Sequence, residues 1–314
     1  MRAFTFFILQ LSFFLIYAQP CDDRNTEYIP IADLGSSTFQ GYQGGLYPNG
    51  SNAIPMQHFQ EGLSVASHIK PLNAEGKEDS ISGKIGFLIL GYSTAAMTGR
   101  FFRDVVAIKS PDTKLQVVIG AQGGRDINSM TDSLSSYWDG VDSALHSNTI
   151  TAAQIQLIWI STGDILTYSL PFPQQSLQQV DKYALVLKQI KLQYPNARIV
   201  FLSDRPFAGY IGVNGMGPKE LAEPTAYFHS WTVKWVIEHQ MNNDAGFTKE
   251  EIPFIDWGPT LWTNGSKGDK QGYTWNCDDA GKGGIHASSK GRMKEATRMY
   301  VYFSNHPYTE QLFK

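Results

Sequence analysis

Short runs of apolar residues alternate along this chain with longer segments of helical period. The runs are continuous and rich in β-branched residues, a pattern typical of strands buried on both faces of a parallel sheet. They predict strands at residues 85–90, 115–119, 155–160 and 199–202, with a less continuous fifth at 252–257. Apolar spacings of three and four predict helices over 175–194, about 225–241 and 290–303. This alternation predicts a parallel sheet covered by helices on both faces.

Polar residues follow the ends of the first four predicted strands, and sheets of this kind bind ligands at that edge. Arg125, Asp164 and Arg205 lie in these groups and are candidates for binding substrate, the two arginines for an anionic one. The alternative for each arginine is an ordinary surface position. Loops are polar in most proteins, so the pattern alone does not assign a site. The groups are Gly91-Tyr92-Ser93-Thr94, residues 120–126, Ser161-Thr162-Gly163-Asp164 and Ser203-Asp204-Arg205.

Ser93 and His286 are placed in the chain as a nucleophile and its base would be. Ser93 follows the first strand, and at a strand-to-helix turn its hydroxyl and its own peptide N–H can both meet a carbonyl group. His286 lies in a glycine-rich loop directly before the last predicted helix, where a general base can reach the hydroxyl that it serves. The alternatives are that Ser93 only caps a helix and that His286 is a surface histidine.

Glycines near the strand ends can bring peptide N–H groups toward an oxyanion, and the candidates are Gly123, Gly124 and Gly163. A dinucleotide site is the competing reading of the first two, but the segment lacks the G-x-G-x-x-G spacing. The sequence also has no H-E-x-x-H motif and no cluster of cysteines and histidines. We therefore expect neither a metal nor a cofactor.

Residues 1–18 have the pattern of a secretory signal peptide. One positive charge, Arg2, precedes an apolar core that is short for a membrane span, and Ala18 stands at a plausible cleavage point. Cleavage would leave a single α/β domain over residues 19–314, located outside the cell or in the periplasm and without a membrane span. Lipidation at Cys21 and an uncleaved anchor are the alternatives.

Charge and cysteine content narrow the choice of partners. Loss of Arg2 with the leader changes the formal net charge from −3 to −4, and a mildly acidic chain without a basic stretch argues against binding nucleic acid. Export would permit a disulfide between the two cysteines, Cys21 and Cys277. Such a bridge would join the mature N-terminus to the loop that carries His286, and the sequence leaves the bridged and unbridged forms open.

As a set, the motifs resemble the SGNH/GDSL hydrolase superfamily, and more closely a secreted SGNH-like branch. The resemblance covers roughly residues 33–303. It implies a three-layer α/β/α sandwich of SGNH/flavodoxin type with about five strands. It also implies Ser93 as nucleophile, His286 as base, and an oxyanion hole from the Ser93 N–H, a glycine of the 120–124 loop and a group near Gly163. The matching segments are residues 44–52, 85–93, 120–124, 137–139, 208–210, 233–238, 257–262 and 286–292.

The chain departs from the superfamily pattern at three places. The aspartate expected three residues before the histidine is Gly283, and the asparagine expected after the third strand is Gly163, followed by Asp164. Gly-Asp-Ser reads Gly-Tyr-Ser. Loss of an orienting carboxylate can cost on the order of 10⁴-fold in rate where a triad is used. Another acceptor can replace it, and the candidates are a backbone carbonyl or one of the carboxylates of Asp278, Asp279 and Asp256.

Two hypotheses of function follow from the sequence. The first is a secreted SGNH-like serine ester hydrolase that acts on a small-molecule or carbohydrate ester, with aromatic residues such as Trp138, Trp159, Trp262 and Tyr47 available to stack on sugar rings. The second is a catalytically degenerate SGNH-fold protein with a binding or accessory role at the cell surface. The missing aspartate and asparagine motivate the second hypothesis.

Overall fold

A parallel sheet of five strands forms the centre of the protein. The computed structural model describes residues 22–213 and 217–314. The strands of the sheet are β3 (Ile85–Gly91), β4 (Leu115–Ile119), β5 (Ile155–Ser161), β6 (Ile199–Leu202) and β7 (Phe254–Trp257). They lie side by side in the order β4-β3-β5-β6-β7, and every neighbouring pair is parallel. β3, which precedes Ser93, is therefore an inner strand, and β7 is an edge strand.

Helices cover both faces of this sheet. On one face lie α2 (Met56–Ala66), α3 (Ser93–Lys109) and α7 (Ser289–Asn305); on the other lie α4 (Ser136–Ser147), α5 (Gln174–Gln193) and α6 (Thr225–Met241). Successive residues of β3 point alternately to the two faces, as the strand period requires. Phe87 and Ile89 pack into the core under α3 and α7, whereas Leu88 and Leu90 pack into the core under α4 and α5. The α/β/α fold predicted from the sequence is confirmed.

The segment before α2 packs at the β7 edge of the sheet. It contains α1 (Ile31–Leu34) and a short antiparallel pair, β1 (Thr38–Phe39) with β2 (Tyr42–Gln43). The hydroxyl of buried Tyr47 donates to Asp256 on β7 at 2.6 Å, and the Trp257 indole donates to the carbonyl of Leu46 at 2.7 Å. These bonds fix the segment beside β7, which lies three positions from β3 in the sheet.

The predicted leader (residues 1–18) and Cys21 lie outside the described residues, so cleavage and the Cys21–Cys277 bridge stay predictions. Cys277 is not a free thiol. Its backbone N–H donates to Asp23 at 2.9 Å, so the first described residues lie beside the loop that leads to His286. Within residues 22–213 and 217–314, no helix has the length and apolar character of a membrane span.

Candidate active site

Ser93 is the first residue of α3, directly after the sharp turn that ends β3. The turn requires Gly91, because its φ is +131° and a β-carbon there would overlap the carbonyl oxygen of Ser161 on β5. Tyr92 takes the N-cap position, and its side chain makes no capping bond. The N–H groups of the first turn are therefore left without a side-chain acceptor at the positive end of a 17-residue helix. That is a suitable place for a developing negative charge.

The structure brings Ser93 and His286 together from positions 193 residues apart. The distance from Ser93 Oγ to His286 Nε2 is 2.8 Å. With the imidazole proton on Nδ1, the Ser93 hydroxyl donates to Nε2, which is the arrangement that a general base needs. The hydroxyl is thus engaged with the imidazole and does not cap the helix. The simple capping role considered for Ser93 does not describe this geometry.

The loop that carries His286 closes on itself before α7 begins. The Gly281 N–H donates to the carbonyl of His286 at 2.7 Å, and the Ser288 N–H donates to the carbonyl of Asp279 at 2.8 Å. Gly284 has φ +74°, and a β-carbon there would overlap the backbone of Tyr210. Glycine is needed at this position so that the loop can approach the neighbouring chain closely. The backbone of His286 is therefore held by the loop itself.

The His286 imidazole is set to be neutral at ordinary pH. Partial burial lowers its pKa below 6.5, and the nearby positive charge of Arg292 lowers the pKa further. Both effects disfavour the charged imidazolium. A neutral imidazole can accept the Ser93 proton, so this environment suits a base.

None of the three carboxylates proposed to orient His286 makes a hydrogen bond to it among the described residues. Asp278 pairs with Lys290 at 2.5 Å. Asp279 pairs with Lys294 at 2.6 Å and accepts from the N–H of Asn276. Each carboxylate is engaged with other groups in the loop or on α7. The structure gives these two acids a role in fixing the loop around the base.

The third candidate acid, Asp256, lies on β7 and accepts the hydroxyl of Tyr47, with the imidazole of His58 at 3.6 Å. Strands in a sheet are about 4.8 Å apart, so three positions correspond to roughly 14 Å. That separation removes Asp256 from the surroundings of Ser93. At the position where the superfamily has its aspartate, Gly283 adopts φ +82°, a conformation that favours glycine.

Gly123 faces Ser93, and Gly163 lies at the neighbouring strand end. A β-carbon built on Gly123 would lie 3.9 Å from the β-carbon of Ser93, and the residue is exposed. The Gln122 N–H donates to the carbonyl of Gly91 at 3.0 Å, so the loop is tied to the turn before Ser93. At Gly163, the volume of a side chain is already taken by the hydroxyl of Tyr168. Gly124 is exposed, with φ +72° and no atom near its missing side chain.

Asp164 is an anchor within the structure. It has no exposed surface, its two oxygens bond to Lys182 and to the amide of Asn128, and the same amide reaches Asp126 at 2.8 Å. The Ile127 N–H also donates to the carbonyl of Gly163 at 3.1 Å. These bonds join the loop after β4 to the loop after β5. Sequence reasoning missed Lys182 and Asn128, because no local pattern marks a contact between such distant residues.

The two candidate arginines occupy different environments. Arg125 is exposed and donates to Ser136 at 2.9 Å. Arg205 is only 6% exposed, and it shares a small cavity with Thr94 and His286. Arg205 is therefore a neighbour of the Ser93–His286 pair, while Arg125 is an exposed residue of the loop after β4.

We also searched the described residues for a metal site and for a larger cavity. In the described part of the chain, no group of three or more His, Cys, Asp or Glu side chains is arranged to hold a metal ion. A cavity of about 890 Å³ lies at the β7 edge, between residues such as Leu46 and the face of α7 that bears Met293 and Arg298. It contains neither Ser93 nor His286, so we assign it no part in their chemistry.

Comparison with known proteins finds similarity in solved structures. No protein-family model matches the chain, and no curated protein matches it. A protein from Slackia heliotrinireducens described as an SGNH hydrolase is 12% identical, with a TM-score of 0.36 over 70% of this chain and 99% of that one. The acetyl xylan esterase AlAXEase is 11% identical, with a TM-score of 0.39 over 69% of this chain and 98% of that one. The periplasmic domain of a lipopolysaccharide acetyltransferase from Salmonella ser. Paratyphi A is 12% identical, with a TM-score of 0.39 over 79% of this chain and 95% of that one.

The SGNH-like resemblance read from the sequence agrees with these neighbours. At such low identities and TM-scores, the similarity gives no argument about activity, substrate or site residues. The fold class rests on the strand order and the two helical layers of the chain itself. The function must be argued from the Ser93–His286 geometry.

Proposed function

We propose that this protein is an SGNH-like serine ester hydrolase in which Ser93 is the nucleophile and His286 the base. The observation that carries the proposal is the 2.8 Å contact between Ser93 Oγ and His286 Nε2. The contact lies at the carboxyl end of an inner strand and at the N-terminus of α3. Open α/β sheets bind ligands at this edge.

The proposed reaction has two steps. Ser93 Oγ attacks the acyl carbon while its proton passes to His286 Nε2, and the Ser93 and Gly123 N–H groups stabilise the resulting oxyanion. The bond to the alcohol then breaks, and the imidazolium gives its proton to the departing oxygen. In the second step, water gives a proton to His286 as its oxygen attacks the acyl carbon, and the imidazolium then returns that proton to the departing Ser93 Oγ, which releases the acid and restores Ser93.

His286 performs these transfers without a carboxylate partner on the described residues. Its loop fixes the backbone through the Gly281 and Ser288 bonds, and burial with Arg292 keeps the pKa low. A nucleophile–base pair without the third group retains part of its rate, since positioning and oxyanion stabilisation do not depend on it. We therefore expect slow but measurable turnover.

We extend the proposal to an acylated carbohydrate outside the cell, on the basis of the superfamily resemblance and the predicted leader. The four aromatics first considered for stacking on sugars do not support it. Trp138, Trp159, Trp262 and Tyr47 are each less than 5% exposed and belong to the two cores. Phe207 and Trp275 line the small cavity beside His286, but each is only 2% exposed and belongs to the same core, so neither offers an open face for a sugar ring.

The second candidate function is a binding or accessory protein on a degenerate SGNH fold. The observation that favours it is the absence of a carboxylate on His286 among residues 22–213 and 217–314, together with glycine at position 163. Such a protein would bind an ester or its product at the same place without turning it over.

Labelling with a fluorophosphonate probe separates the two functions. An activated serine reacts with the probe, so we expect wild-type protein to label and the Ser93→Ala variant to remain unlabelled. Ser143→Ala is the control, because Ser143 is an exposed helical serine whose hydroxyl donates to the carbonyl of Asp139 at 2.8 Å; it should label like wild type. Unlabelled native protein, or equal labelling of Ser93→Ala, would favour the binding protein.

A further inference from the structure

Arg205 is held between two aromatic rings at the carboxyl end of β6. Its guanidinium carbon lies 4.9 Å from the ring centre of Tyr168 and 5.7 Å from that of Tyr92. One guanidinium N–H group donates to the hydroxyl of Thr225 at 3.3 Å. Because Tyr92 directly precedes Ser93, the guanidinium is fixed beside the candidate nucleophile. Rings and hydroxyl hold its orientation, but they do not neutralise its charge.

No acidic side chain of the described residues forms an ion pair with Arg205 within 4.0 Å. The acid that acts on it most strongly through space is Glu223. The oxygens of Glu223 accept instead from the N–H groups of Ala208, Tyr227 and the Trp262 indole, at 2.7, 3.2 and 2.9 Å. A buried charge is costly unless it is paired, and since no carboxylate of the described residues pairs directly with Arg205, an anion from outside the chain can supply that partner.

The cavity that Arg205 lines is the place where such an anion would bind. Thr94 and His286 line the same cavity, and Phe207 and Trp275 are among its walls. Its open volume is about 20 Å³, which is close to the space that one water molecule needs. The cavity therefore admits only a small polar group of a larger molecule. A carboxylate matches the fork of a guanidinium, which can bond both of its oxygens.

We infer that Arg205 binds a carboxylate of the substrate, so that the favoured substrates are acylated sugar acids and not acylated neutral sugars. This inference rests on the proposed function of the Ser93–His286 pair. Arg205 would hold the acid group in the cavity while the ester bond of the same molecule lies against Ser93. Tyr92 and Tyr168 act as positioning residues for the guanidinium.

The test compares two esters that differ only in the carboxylate. O-acetyl galacturonic acid and O-acetyl galactose, acetylated at the same position, are offered to the wild-type protein, and kcat/KM is measured for each. We expect wild type to favour the acid by about ten- to a hundredfold, and Arg205→Met to bring the ratio of the two values close to one. Arg198→Met is the matched control, because Arg198 is partly buried at the opposite end of β6; it should keep the wild-type ratio.

Three outcomes would overturn the inference. The first is an equal kcat/KM of wild type on both esters. The second is an equal loss on both esters in Arg205→Met, which would assign Arg205 to the oxyanion or to the fold. The third comes from titration calorimetry on the Ser93→Ala variant with galacturonate, galactose and inorganic phosphate: tighter binding of phosphate than of galacturonate would contradict a carboxylate site.

The same experiment separates this inference from the proposed function. If neither ester is hydrolysed and Ser93 is not labelled, the hydrolase proposal fails, and calorimetry alone decides whether galacturonate binds through Arg205. A thermal melt shows whether Arg205→Met is folded. Should that variant not fold, Arg205→Lys replaces it, since lysine keeps the charge but loses the paired bonds; it should lower the acid preference about tenfold.

Discussion

At the scale of single residues, the chemistry depends on how His286 is kept neutral and in place. In a complete triad a carboxylate orients the base and stabilises its charged form. Here burial and the Arg292 charge act on the imidazole in the opposite direction and lower its pKa. The base is therefore ready to accept a proton, but the imidazolium that it becomes is less stabilised. Because the imidazole stays neutral but its charged form is less stabilised, we expect activity at mildly acidic pH together with a modest turnover.

The pH profile tests this account of His286. A pKa below 6.5 means that the imidazole stays neutral until the pH falls below that value, so kcat/KM should decline only on the acid side of pH 6.5. Arg292→Met removes the positive charge and should move the decline to higher pH. Arg292→Lys retains the charge and should leave the profile unchanged. A wild-type decline centred above pH 6.5, or no shift in Arg292→Met, would refute the account.

Gly283 leads to a second prediction, because placing the aspartate of the SGNH pattern at this position should not create a triad. The residue has φ +82°, and a side chain in such a conformation costs about 1–3 kcal/mol. We expect Gly283→Asp to unfold at a lower temperature than wild type and to gain no activity. Gly283→Ala is the control for backbone cost, since it adds a side chain without a carboxylate. A kcat of Gly283→Asp tenfold above that of Gly283→Ala would mean that the loop can present the acid to His286.

At the scale of elements, two helices determine the distance between nucleophile and base. α3 begins at Ser93, and α7 begins three residues after His286. The two helices pack against each other on one face of the sheet. Phe102 and Phe303 meet across this interface with ring centres 5.8 Å apart. The packing of α3 on α7 therefore contributes to the distance between Ser93 and His286.

A buried carboxyl group in the interface between α3 and α7 makes the stability of the protein depend on pH. Glu295 of α7 accepts the hydroxyl of Thr98 on α3, and burial raises its pKa from 4.5 to about 8. Between those values the folded protein holds a proton that the unfolded chain has lost. The contribution of Glu295 to the stability of the folded protein is thus complete below pH 4.5, and it is lost as the pH rises to about 8.

Glu295→Gln keeps a neutral group of the same shape and removes this titration. We expect the melting temperature of the variant, relative to that of wild type, to rise between pH 5 and about pH 8 and to level off above that pH. Glu75→Gln, which alters an exposed carboxylate, should show a constant difference over the same range. A constant difference for Glu295→Gln as well would show that Glu295 is charged in the folded protein.

At the scale of the whole molecule, sequence patterns predicted the layers better than the contacts between them. The four clearest strands were placed within one residue, because strands buried on both faces are continuous apolar runs. α3 was not predicted from periodicity. The residues that it turns to the sheet are small, such as Ala95, Ala96 and Gly99, and a β-carbon on Gly99 would lie 2.9 Å from Ile89. The larger apolar residues that mark the helical period, Phe102, Val105 and Val106, come only in the second half of α3.

In the candidate site, too, residues with a local sequence signal were predicted, and residues that depend on contacts across the fold were not. Ser93 and His286 each carry a local signal, namely a strand end and a glycine-rich loop, and the structure brings them together. The burial of Arg205 and the bonds of Asp164 to Lys182 and Asn128 depend on contacts across the fold. The spacing of residues along the chain does not contain that information.

The loops after β3, β4 and β5 are bonded to one another, while the loop from Gly281 to Ser288 closes on itself. The serine and its proposed oxyanion donors therefore lie in loops that are bonded to one another, and the base lies in a separate loop of eight residues. Activity and folding can then be separated under selection. A few changes in eight residues can remove turnover from a lineage and leave its architecture intact, so hydrolases and binding proteins of this fold can be close relatives.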